Sequence, residues 1–394
     1  MKSKKMKILL LVNDYYPYKK GEEAKNKIYL ASSAPELARH LSSCYKVIVV
    51  SRKFKGTKNI SHTNKIIVYR LPFLNLPFFR LVTWSFLVFI FITLLKTKYK
   101  LIICWDWSTA IPVIFSKIFT HKPFIVSTRG QSQANSHKNS ILFPLYWIAE
   151  YLTLSLSNMI VHSSRWVKKS FNDIMKLKVK QIVLHHGIDL KKFNPNVNSD
   201  LRRKFMINEN ATILGFFGRL VKGKGLFILL LAFKDLVKKH KNIRLLIVGD
   251  GPEKKKIELF LRKNKIENYV FLIGFIKREY IPQYMSICDI IVLPSKSEGF
   301  SSVVIESIAM GKVFIGTRVG GAPEVIKNWE NGVLINYSVK DLKKAVTILI
   351  NNKYLMKKIK IRAVETSYEY DWHKIIKKWI KLIENFYKTS KNKN

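Results

Sequence analysis

The chain has 394 residues, of which 48% are hydrophobic, a length and composition that predict two globular domains and exclude global disorder. Its formal net charge is +44, from 70 Lys and Arg against 26 Asp and Glu. The excess is spread evenly, +24 in residues 1–199 and +20 in the rest, so no basic tail or recognition module indicates nucleic-acid binding. Three interpretations of the charge stay open, in order of weight: a compositional bias, attraction to an anionic membrane surface, and, last, binding of nucleic acid.

The spacing of the cysteines and the first apolar run indicate in which cellular compartment the protein is expected. Cys44, Cys104 and Cys288 are far apart and match no metal-ligand spacing, so we expect reduced, buried thiols and no metal site. The first apolar run ends at Asn13-Asp14, and no small-residue cleavage site follows it. We therefore expect residues 7–12 to be a buried strand and the protein to be cytoplasmic.

Short β-branched runs alternate with longer amphipathic runs along the chain, which is typical of parallel βαβ units. In chain order the predicted strands are 7–12, 46–50, 66–69, 101–104, 124–127, 159–162, 213–217, 244–248, 270–274, 290–293 and 313–316. Predicted helices between the later strands are 226–240, 302–310 and 340–351. The pattern predicts an α/β protein with two Rossmann-like, doubly wound domains facing a central cleft.

The turn-rich residues 194–200 have little to bury and predict the domain linker. We expect a first domain at 1–196, a second at 197–370, and a closing helix with a frayed tail at 371–394. In doubly wound sheets ligands bind beyond the carboxyl ends of the strands, so the search for a site is limited to the loops there.

Residues 81–95 carry no charge and are followed by Lys96, Lys98 and Lys100. As a helix they would be about 22 Å long, shorter than the roughly 30 Å of a bilayer core. A membrane span is therefore not expected. Two alternatives stay open: a helix buried against the sheet, or an apolar face docked in the lipid interface with lysines on the headgroups.

The most specific motif follows the predicted strand 290–293. Glu298 precedes the turn at Gly299, and Ser301 or Ser302 is expected to cap a helix with Glu306 one turn inside it. A helix start offers unpaired N–H groups and partial positive charge to an anion. The motif therefore predicts a phosphate site flanked by two carboxylates that accept hydrogen bonds from sugar hydroxyls.

A glycine-rich turn with two cations, Arg219 and Lys224, follows the predicted strand 213–217. It nearly fits the phosphate loop of nucleoside triphosphatases, but Gly225 stands where a metal-binding hydroxyl is needed. The two cations would stabilise a diphosphate leaving group as its negative charge grows. Residues 249–252 contain only a lone G-x-G, because Lys254 replaces the third glycine of a dinucleotide fingerprint, and we expect a simple turn.

Together these residues resemble the retaining GT-B glycosyltransferases of family 4, the group 1 type, most strongly from Ile213 to Leu334. Glu298 and Glu306 fit that family's E-x7-E motif, and Arg219 and Lys224 fit its pair of diphosphate cations. The resemblance implies that Glu298 contacts the donor sugar and Glu306 the nucleotide ribose. It also implies that the backbone of Phe300, Ser301 and Ser302 cradles the phosphates, and that the closing helix crosses back to the first domain.

The first half departs from the family pattern. A double glycine is usual in the first loop, but here Gly21 is followed by Glu22, and we expect Gly21 to lie near the substrates. Arg129 stands where many members have a histidine; it cannot be a general base but can bind a phosphate. His185-His186-Gly187-Ile188-Asp189 resembles the family's P-N-G-I-D run, and the histidine pair is expected to be structural.

By this resemblance the chain moves a sugar from a UDP- or GDP-sugar to a glycan or lipid-linked acceptor, in cell-surface polysaccharide or glycolipid synthesis. The mechanism would depend on cations and helix N-termini, with no metal and no cofactor beyond the nucleotide-sugar substrate. A peripheral position at the inner face of an anionic membrane is a further expectation. The alternatives are a non-hydrolysing UDP-sugar epimerase on the same fold and a non-enzymatic basic binder of membranes or nucleic acid.

Overall fold

The computed structural model describes residues 6–13, 34–54, 57–63, 65–74, 79–96, 98–133, 141 and 143–391. The chain divides into two compact units, one formed by Met1–His186 with Ile375–Asn394 and the other by Gly187–Lys374. Each unit is a parallel β-sheet with helices, which confirms the predicted pair of Rossmann-like domains. Residues 194–200, where the sequence predicts the linker, belong to the second unit.

Eight strands of the described residues form the sheet of the first unit, in the order β3-β4-β2-β1-β5-β6-β7-β8. All neighbours are parallel except β3 and β4. The strands are β1 Lys7–Leu11, β2 Lys46–Arg52, β3 Ile60–Thr63, β4 Ile66–Leu71, β5 Leu101–Cys104, β6 Phe124–Thr128, β7 Met159–His162 and β8 Gln181–Val183. The central ones are continuous apolar runs because both of their faces are buried.

The helices of this unit connect consecutive parallel strands. They are α1 Ala34–Leu41, α2 Phe79–Leu94, α3 Trp107–Thr120, α4 Phe143–Ser155 and α5 Arg165–Asn172. Inner residues of α2, α3 and α4 share one core with the sheet, in which Trp84, Val113 and Leu154 meet Ile102 and Phe124. The α3 helix begins at a capping box in which Asp106 accepts a hydrogen bond from the Ser108 backbone.

Six strands of the second unit, all parallel, are ordered β11-β10-β9-β12-β13-β14. They are β9 Thr212–Phe217, β10 Ile243–Val248, β11 Val270–Gly274, β12 Ile290–Leu293, β13 Val313–Thr317 and β14 Val333–Ile335. The helices of this unit are α6 Leu201–Lys204, α7 Leu226–Lys239, α8 Lys254–Lys263, α9 Ile281–Ser286, α10 Ser302–Ala309, α11 Ala322–Val325, α12 Val339–Asn351 and α13 Lys353–Ser367. The last helix, α14 Trp372–Lys391, begins in this unit and belongs to the first unit from Ile375 onward. Chain order reverses between β9 and β12, so ligand binding is favoured beyond their carboxyl ends.

The eleven predicted strands are confirmed within two residues at each end. The prediction missed β3, β8 and β14, which are three or four residues long and lie at or near sheet edges. The closing helix predicted within residues 371–394 is present as α14, and it continues to Lys391. Apolar residues at helical spacing, including the buried Trp372, Ile375, Trp379 and Ile383, explain its continuation.

The glycine-rich turn after β9 packs directly on the segment that follows β12. Gly225 has φ +68° and caps the start of α7, and a Cβ built there would lie 1.7 Å from the carbonyl oxygen of Pro294. Gly223, two residues earlier, has no atom within 4 Å of a built Cβ. Residues 249–252 form a loop, as predicted, and the Asp250 carbonyl accepts a hydrogen bond from Leu220 N of the same turn.

Gly225→Ala should therefore lower the thermal unfolding midpoint, while Gly223→Ala should leave it nearly unchanged. The left-handed conformation alone costs a non-glycine residue about 1–2 kcal/mol, and the overlap with Pro294 adds a backbone shift. For a unit of this size the drop should be about 5 °C or more. Circular dichroism melts of both variants test this, and equal midpoints would contradict the packing assigned to Gly225.

Candidate active site

Two loops at the carboxyl ends of adjacent strands are bonded to each other in the second unit. Lys296 N, after β12, donates a 2.8 Å hydrogen bond to the carbonyl of Gly223, after β9. This bond places Lys224 Nζ 2.5 Å from Glu298 Oε1, and Ser295 Oγ donates to the same oxygen at 2.7 Å. The structure thus brings together two residues that the sequence singled out 74 positions apart.

The Glu298 carboxylate is held by one of its two oxygens. Oε1 accepts from Lys224 and Ser295, whereas Oε2 has no hydrogen-bond partner among the residues that the structure describes. The side chain is 13% exposed, so the pair is stronger than a solvated surface salt bridge yet still accessible. One oxygen is therefore fixed and the other can accept a hydrogen bond from a ligand.

The α10 helix starts directly after this carboxylate. Ser301 occupies the N-cap position with extended backbone, but its side chain makes no capping hydrogen bond, so the predicted side-chain cap is wrong. Ser301 therefore supplies no side-chain acceptor to the N–H groups of the first turn. Ser301 and Ser302 are half-buried, and Phe300 is buried. A helix start of this kind favours a phosphate.

A third loop, after β13, fixes the turn at Gly299. Gly321 N donates a 2.7 Å hydrogen bond to the Gly299 carbonyl, and a Cβ on Gly320, which has φ +60°, would lie 2.5 Å from the same oxygen. A Cβ on Gly321 would lie 2.2 Å from the Phe300 ring. Three loops thus position the backbone of residues 298–301 within narrow limits.

The second carboxylate of the motif is also paired with a cation. Glu306 is buried in α10, and its Oε1 lies 2.7 Å from Arg278 Nη2. Arg278 Cζ also lies 5.7 Å from the centre of the Phe193 ring. Glu306 Oε2 has no hydrogen-bond partner within the described part of the chain. Each carboxylate of the motif is therefore anchored by Oε1 to a cation.

The sequence analysis missed Arg278, which follows β11 by four residues. The strand order places β11 two strands away from β9, on the side of the sheet opposite to β12. A cation in a loop after a parallel strand fits the rule that ligands bind at carboxyl ends, and this signal could have identified it. The pairing with Glu306 could not have been found without the fold.

Arg219, the other predicted cation, lies in the loop after β9 and is exposed. Its guanidinium has no hydrogen-bond or ion-pair partner among the described residues. The backbone nearby is fixed, because Arg219 O accepts from Val221 N and the adjacent Gly218 N donates to Val248 O. The structure therefore does not join Arg219 to the Lys224–Glu298 pair, but leaves its charge available in the same turn.

Arg129, in the first unit, follows β6 and lies among residues that follow β5 and β8. Its Cζ is 3.5 Å from the centre of the Trp105 ring, and Nη1 lies 3.2 Å from His186 Nδ1. Nε and Nη2 are buried and have no hydrogen-bond partner in the described part of the chain. Burial lowers the pKa of Arg129 to about 9, although the charge of Asp106 opposes the shift.

The surroundings of Arg129 are fixed by buried polar groups. Burial raises the pKa of Asp106, which accepts hydrogen bonds from the backbone and hydroxyl of Ser108. Glu150, fully buried on α4, accepts from the Ser132 hydroxyl and from Gln133 N, and so anchors the chain after Arg129. Gly21, the other residue predicted to contact substrate, lies outside the described residues.

The described residues contain no group of three or more His, Cys, Asp or Glu side chains placed to hold a metal ion. Cys104 and Cys288 are buried, and burial raises the pKa of both thiols, that of Cys288 to about 12.

His186 contacts Arg129, so one member of the histidine pair belongs to the candidate site, whereas the pair was expected to be structural.

Comparison with known proteins places both halves of the chain in related families. Residues 31–192 match the model of Glycosyltransferase Family 4, and residues 197–366 match the model of Glycosyl transferases group 1. The second match contains every residue of the Lys224–Glu298 and Arg278–Glu306 pairs. The first match contains Arg129 and its neighbours.

Relatives with known names include several glycosyltransferases. The uncharacterized glycosyltransferase MJ1178 of Methanocaldococcus jannaschii is 32% identical over 256 residues, which cover 64% of this chain and 66% of the relative. The GPI3 subunit of phosphatidylinositol N-acetylglucosaminyltransferase from Saccharomyces cerevisiae is 23% identical over 414 residues, covering 97% and 84%. The capsular polysaccharide biosynthesis glycosyltransferase CapM of Staphylococcus aureus is 28% identical over 251 residues, covering 61% and 64%.

Solved structures share the fold along nearly the whole chain. The sucrose-phosphate synthase of Thermosynechococcus elongatus superposes with a TM-score of 0.85 at 18% identity, covering 98% of this chain and 100% of that one. Anabaena Alr3699/HepE in complex with UDP-glucose has a TM-score of 0.77 at 19% identity, covering 96% and 100%. From the two family models, the described motif and this likeness, the chain belongs to glycosyltransferase family 4, the group 1 glycosyltransferases, and has the GT-B fold.

Proposed function

We propose that the chain transfers a hexose, with retention of configuration, from a UDP- or GDP-sugar to a glycan or lipid-linked acceptor of cell-surface polysaccharide or glycolipid synthesis. The observation that carries the proposal is the pair of carboxylates around the start of α10, each anchored by Oε1 and open at Oε2. A phosphate bound at the helix start would have a carboxylate oxygen on either side of it, and each oxygen could accept a hydrogen bond from a sugar hydroxyl. A nucleotide diphosphate sugar has this order of groups: sugar, diphosphate, ribose.

The comparisons support the substrate classes without identifying them. HepE is a structural neighbour solved with UDP-glucose, which favours a nucleotide-sugar donor. CapM is named for capsular polysaccharide synthesis, and the yeast relative is a subunit of an enzyme whose acceptor is a phosphatidylinositol. Both a glycan and a lipid-linked acceptor therefore fit the relatives of this chain.

In the reaction that we propose, the bond between the anomeric carbon and the donor phosphate breaks as the acceptor oxygen attacks the same face. Negative charge grows on the departing phosphate oxygen as that bond breaks, the acceptor proton then passes to this oxygen, and the nucleoside diphosphate leaves. Lys224, Arg219 and the N-terminus of α10 stabilise that charge, so that no metal is required. The backbone of Phe300, Ser301 and Ser302 contacts the phosphates.

Glu298 and Glu306 have different tasks in this proposal. Glu298 Oε2 accepts a hydrogen bond from a hydroxyl of the donor sugar, while Lys224 and Ser295 keep the carboxylate oriented. Glu306 Oε2 accepts from the ribose, and Arg278 acts as a positioning residue through Oε1. The buried position of Glu306 makes its hydrogen bond to a ligand stronger than one made in water.

Arg219→Gln and Lys224→Gln should each reduce sugar transfer about a hundredfold, because each removes a cation from the charge that develops in the transition state. Lys222→Gln is the matched control: it removes an exposed lysine from the same turn and should keep activity within about twofold. Initial rates with a nucleotide-sugar panel, together with circular dichroism melts, measure both effects. Rates near wild type in both cation variants would refute the diphosphate site.

Glu306→Gln should weaken nucleoside diphosphate binding about tenfold or more, because a charged acceptor for ribose is lost. The effect should disappear with a nucleotide that lacks the 2′ and 3′ hydroxyls, since that ligand has nothing to donate. Isothermal calorimetry with UDP, GDP and their dideoxy forms gives the four affinities. An equal loss of affinity for both ligand types would contradict the ribose role of Glu306. Glu298→Gln is the comparison variant, because it should chiefly lower kcat.

For Arg129 we propose a role in binding an anionic group of a substrate. Two of its guanidinium nitrogens are buried without a partner, which is costly unless an anion or another acceptor binds there. Its pKa of about 9 keeps it charged at neutral pH and lets the charge fall as the pH rises above 9. The close contact of the guanidinium with the Trp105 ring restricts the orientation of the Arg129 side chain.

Arg129→Met should abolish most of the transfer activity while leaving the unfolding midpoint unchanged or higher, because an unpaired buried charge is removed and the apolar stem is kept. In the wild type kcat/KM should decline as the pH rises through about 9, and this alkaline limb should be absent in the residual activity of the variant. Rates from pH 7 to 10 and melts test both. A lower midpoint with an unchanged pH profile would assign Arg129 to structure alone.

A further inference from the structure

Helices α2, α3 and α4 lie side by side on the first sheet, with α3 between the other two. Phe89 of α2 and Phe119 of α3 meet edge to face at 5.9 Å, and Trp107 of α3 meets Tyr146 of α4 in the same way at 6.5 Å. Their inner residues fill the core over the sheet. The three outer sides therefore form one continuous surface.

That outer surface carries a row of exposed apolar side chains on each helix. On α2 the exposed side chains recur every fourth residue, and the neighbouring helices repeat the pattern. We call the following exposed residues the three-helix face: Val82, Phe86, Ile90 and Leu94 of α2, Phe115, Ile118 and Phe119 of α3, and Leu145, Ile148, Leu152 and Leu156 at α4. With helices about 20–24 Å long and about 8–10 Å apart, the face covers on the order of 500 Å². This area is within the range of roughly 300–600 Å² that the largest apolar patch of a monomer covers, and such patches are often functional.

The three helices expose no acidic side chain on the three-helix face. Arg80, Lys117 and Glu150 are the only charged residues in the sequences of the three helices, and Glu150 is fully buried. Lys117 Nζ donates to the carbonyl of Leu156 at 3.1 Å. An apolar surface without exposed carboxylates does not repel an anionic partner, and it has no negative charge that would attract a basic partner.

Four lysines, Lys96, Lys98, Lys100 and Lys122, lie along one edge of the face, which we call the lysine edge. Because the helices connect parallel strands, their C-terminal ends lie together at the edge where β5 and β6 begin. Lys96, Lys98 and Lys100 follow α2 and are exposed, and Lys122 follows α3. Burial lowers the pKa of Lys122 and the charge of Lys100 lowers it further, which agrees with a close grouping of these cations.

We infer that the three-helix face docks this protein on the surface of an anionic lipid bilayer. No described helix is long and apolar enough to cross a membrane, so the helices lie in the plane of the lipid interface. The apolar rows enter the acyl boundary, and the lysine edge contacts anionic headgroups. The sequence suggested such a face for residues 81–95 alone; the fold adds α3 and α4. The inference is independent of the sugar transfer.

Flotation of the full chain with vesicles tests it. At low salt the wild type should float with vesicles of phosphatidylcholine and phosphatidylglycerol at least tenfold more than with phosphatidylcholine alone, and less at high salt. Phe86→Gln, Ile118→Gln and Leu152→Gln combined, one change per helix, should reduce flotation at least tenfold. The matched control combines Met206→Gln, Leu259→Gln and Ile361→Gln, exposed apolar residues of the second unit, and should float like wild type.

A second pair of variants separates the lysine edge from the general charge of +44. Lys96, Lys98 and Lys100 changed to Gln should weaken flotation severalfold. Lys353, Lys357 and Lys358 changed to Gln remove the same charge from an exposed part of the second unit and should have little effect. UDP affinity by calorimetry should stay at the wild-type value in all four variants, which keeps folding and the donor site separate from docking.

Three results would overturn the inference. One is wild-type protein that does not float with anionic vesicles at low salt. Another is equal flotation of the face variant and its matched control, which would mean that the total charge of the protein, and not the three-helix face, causes the binding. The third is a wild-type dimer in light scattering that the face variant converts to a monomer without any vesicle binding, which would make the face a contact between copies of this chain.

Discussion

The hydrogen bond from Lys296 N to the Gly223 carbonyl connects the loops after β12 and β9, and the geometry of the candidate active site depends on it. Side chains as long as lysine adopt many rotamers, so the 2.5 Å pair of Lys224 and Glu298 requires the two backbones to be fixed first. The absence of a side chain at Gly225 lets α7 start against Pro294. Parallel pairing of β9 with β12 sets the distance between the loops, so the site follows from strand order.

Each carboxylate of the motif is paired with a cation of the same unit. Glu298 with Lys224 and Glu306 with Arg278 are each locally neutral, so the start of α10 contributes its positive potential without an opposing net negative charge. The diphosphate of the proposed donor would therefore meet a neutral or positive region rather than two unpaired carboxylates. Pairing through Oε1 also restricts rotation of each carboxylate, which lowers the entropy lost when a hydroxyl binds at Oε2.

Local signals were sufficient for eleven of the fourteen described strands, the motif at Glu298 and the turn at Lys224, because apolar runs, glycines and helix starts are patterns of neighbouring residues. The short edge strands β3, β8 and β14 have too few residues to show such a pattern. Arg278 was missed because its partner Glu306 lies 28 positions away and is brought near only by the sheet. The side-chain cap at Ser301 was wrong because residue type allows a cap without requiring it. The outer sides of α3 and α4 were missed since an apolar helix in sequence does not reveal which of its sides the core leaves uncovered.

The lack of exposed carboxylates on the three-helix face also governs how copies of the protein behave toward each other in solution. Two such faces attract through apolar contact, and mutual repulsion of strongly cationic molecules is the main force that keeps them apart. Added salt shortens the range of that repulsion and leaves the apolar attraction in place. Colloidal stability and affinity for an anionic surface should thus decline together as ionic strength rises, and the protein is best dispersed under the conditions in which it adheres most strongly.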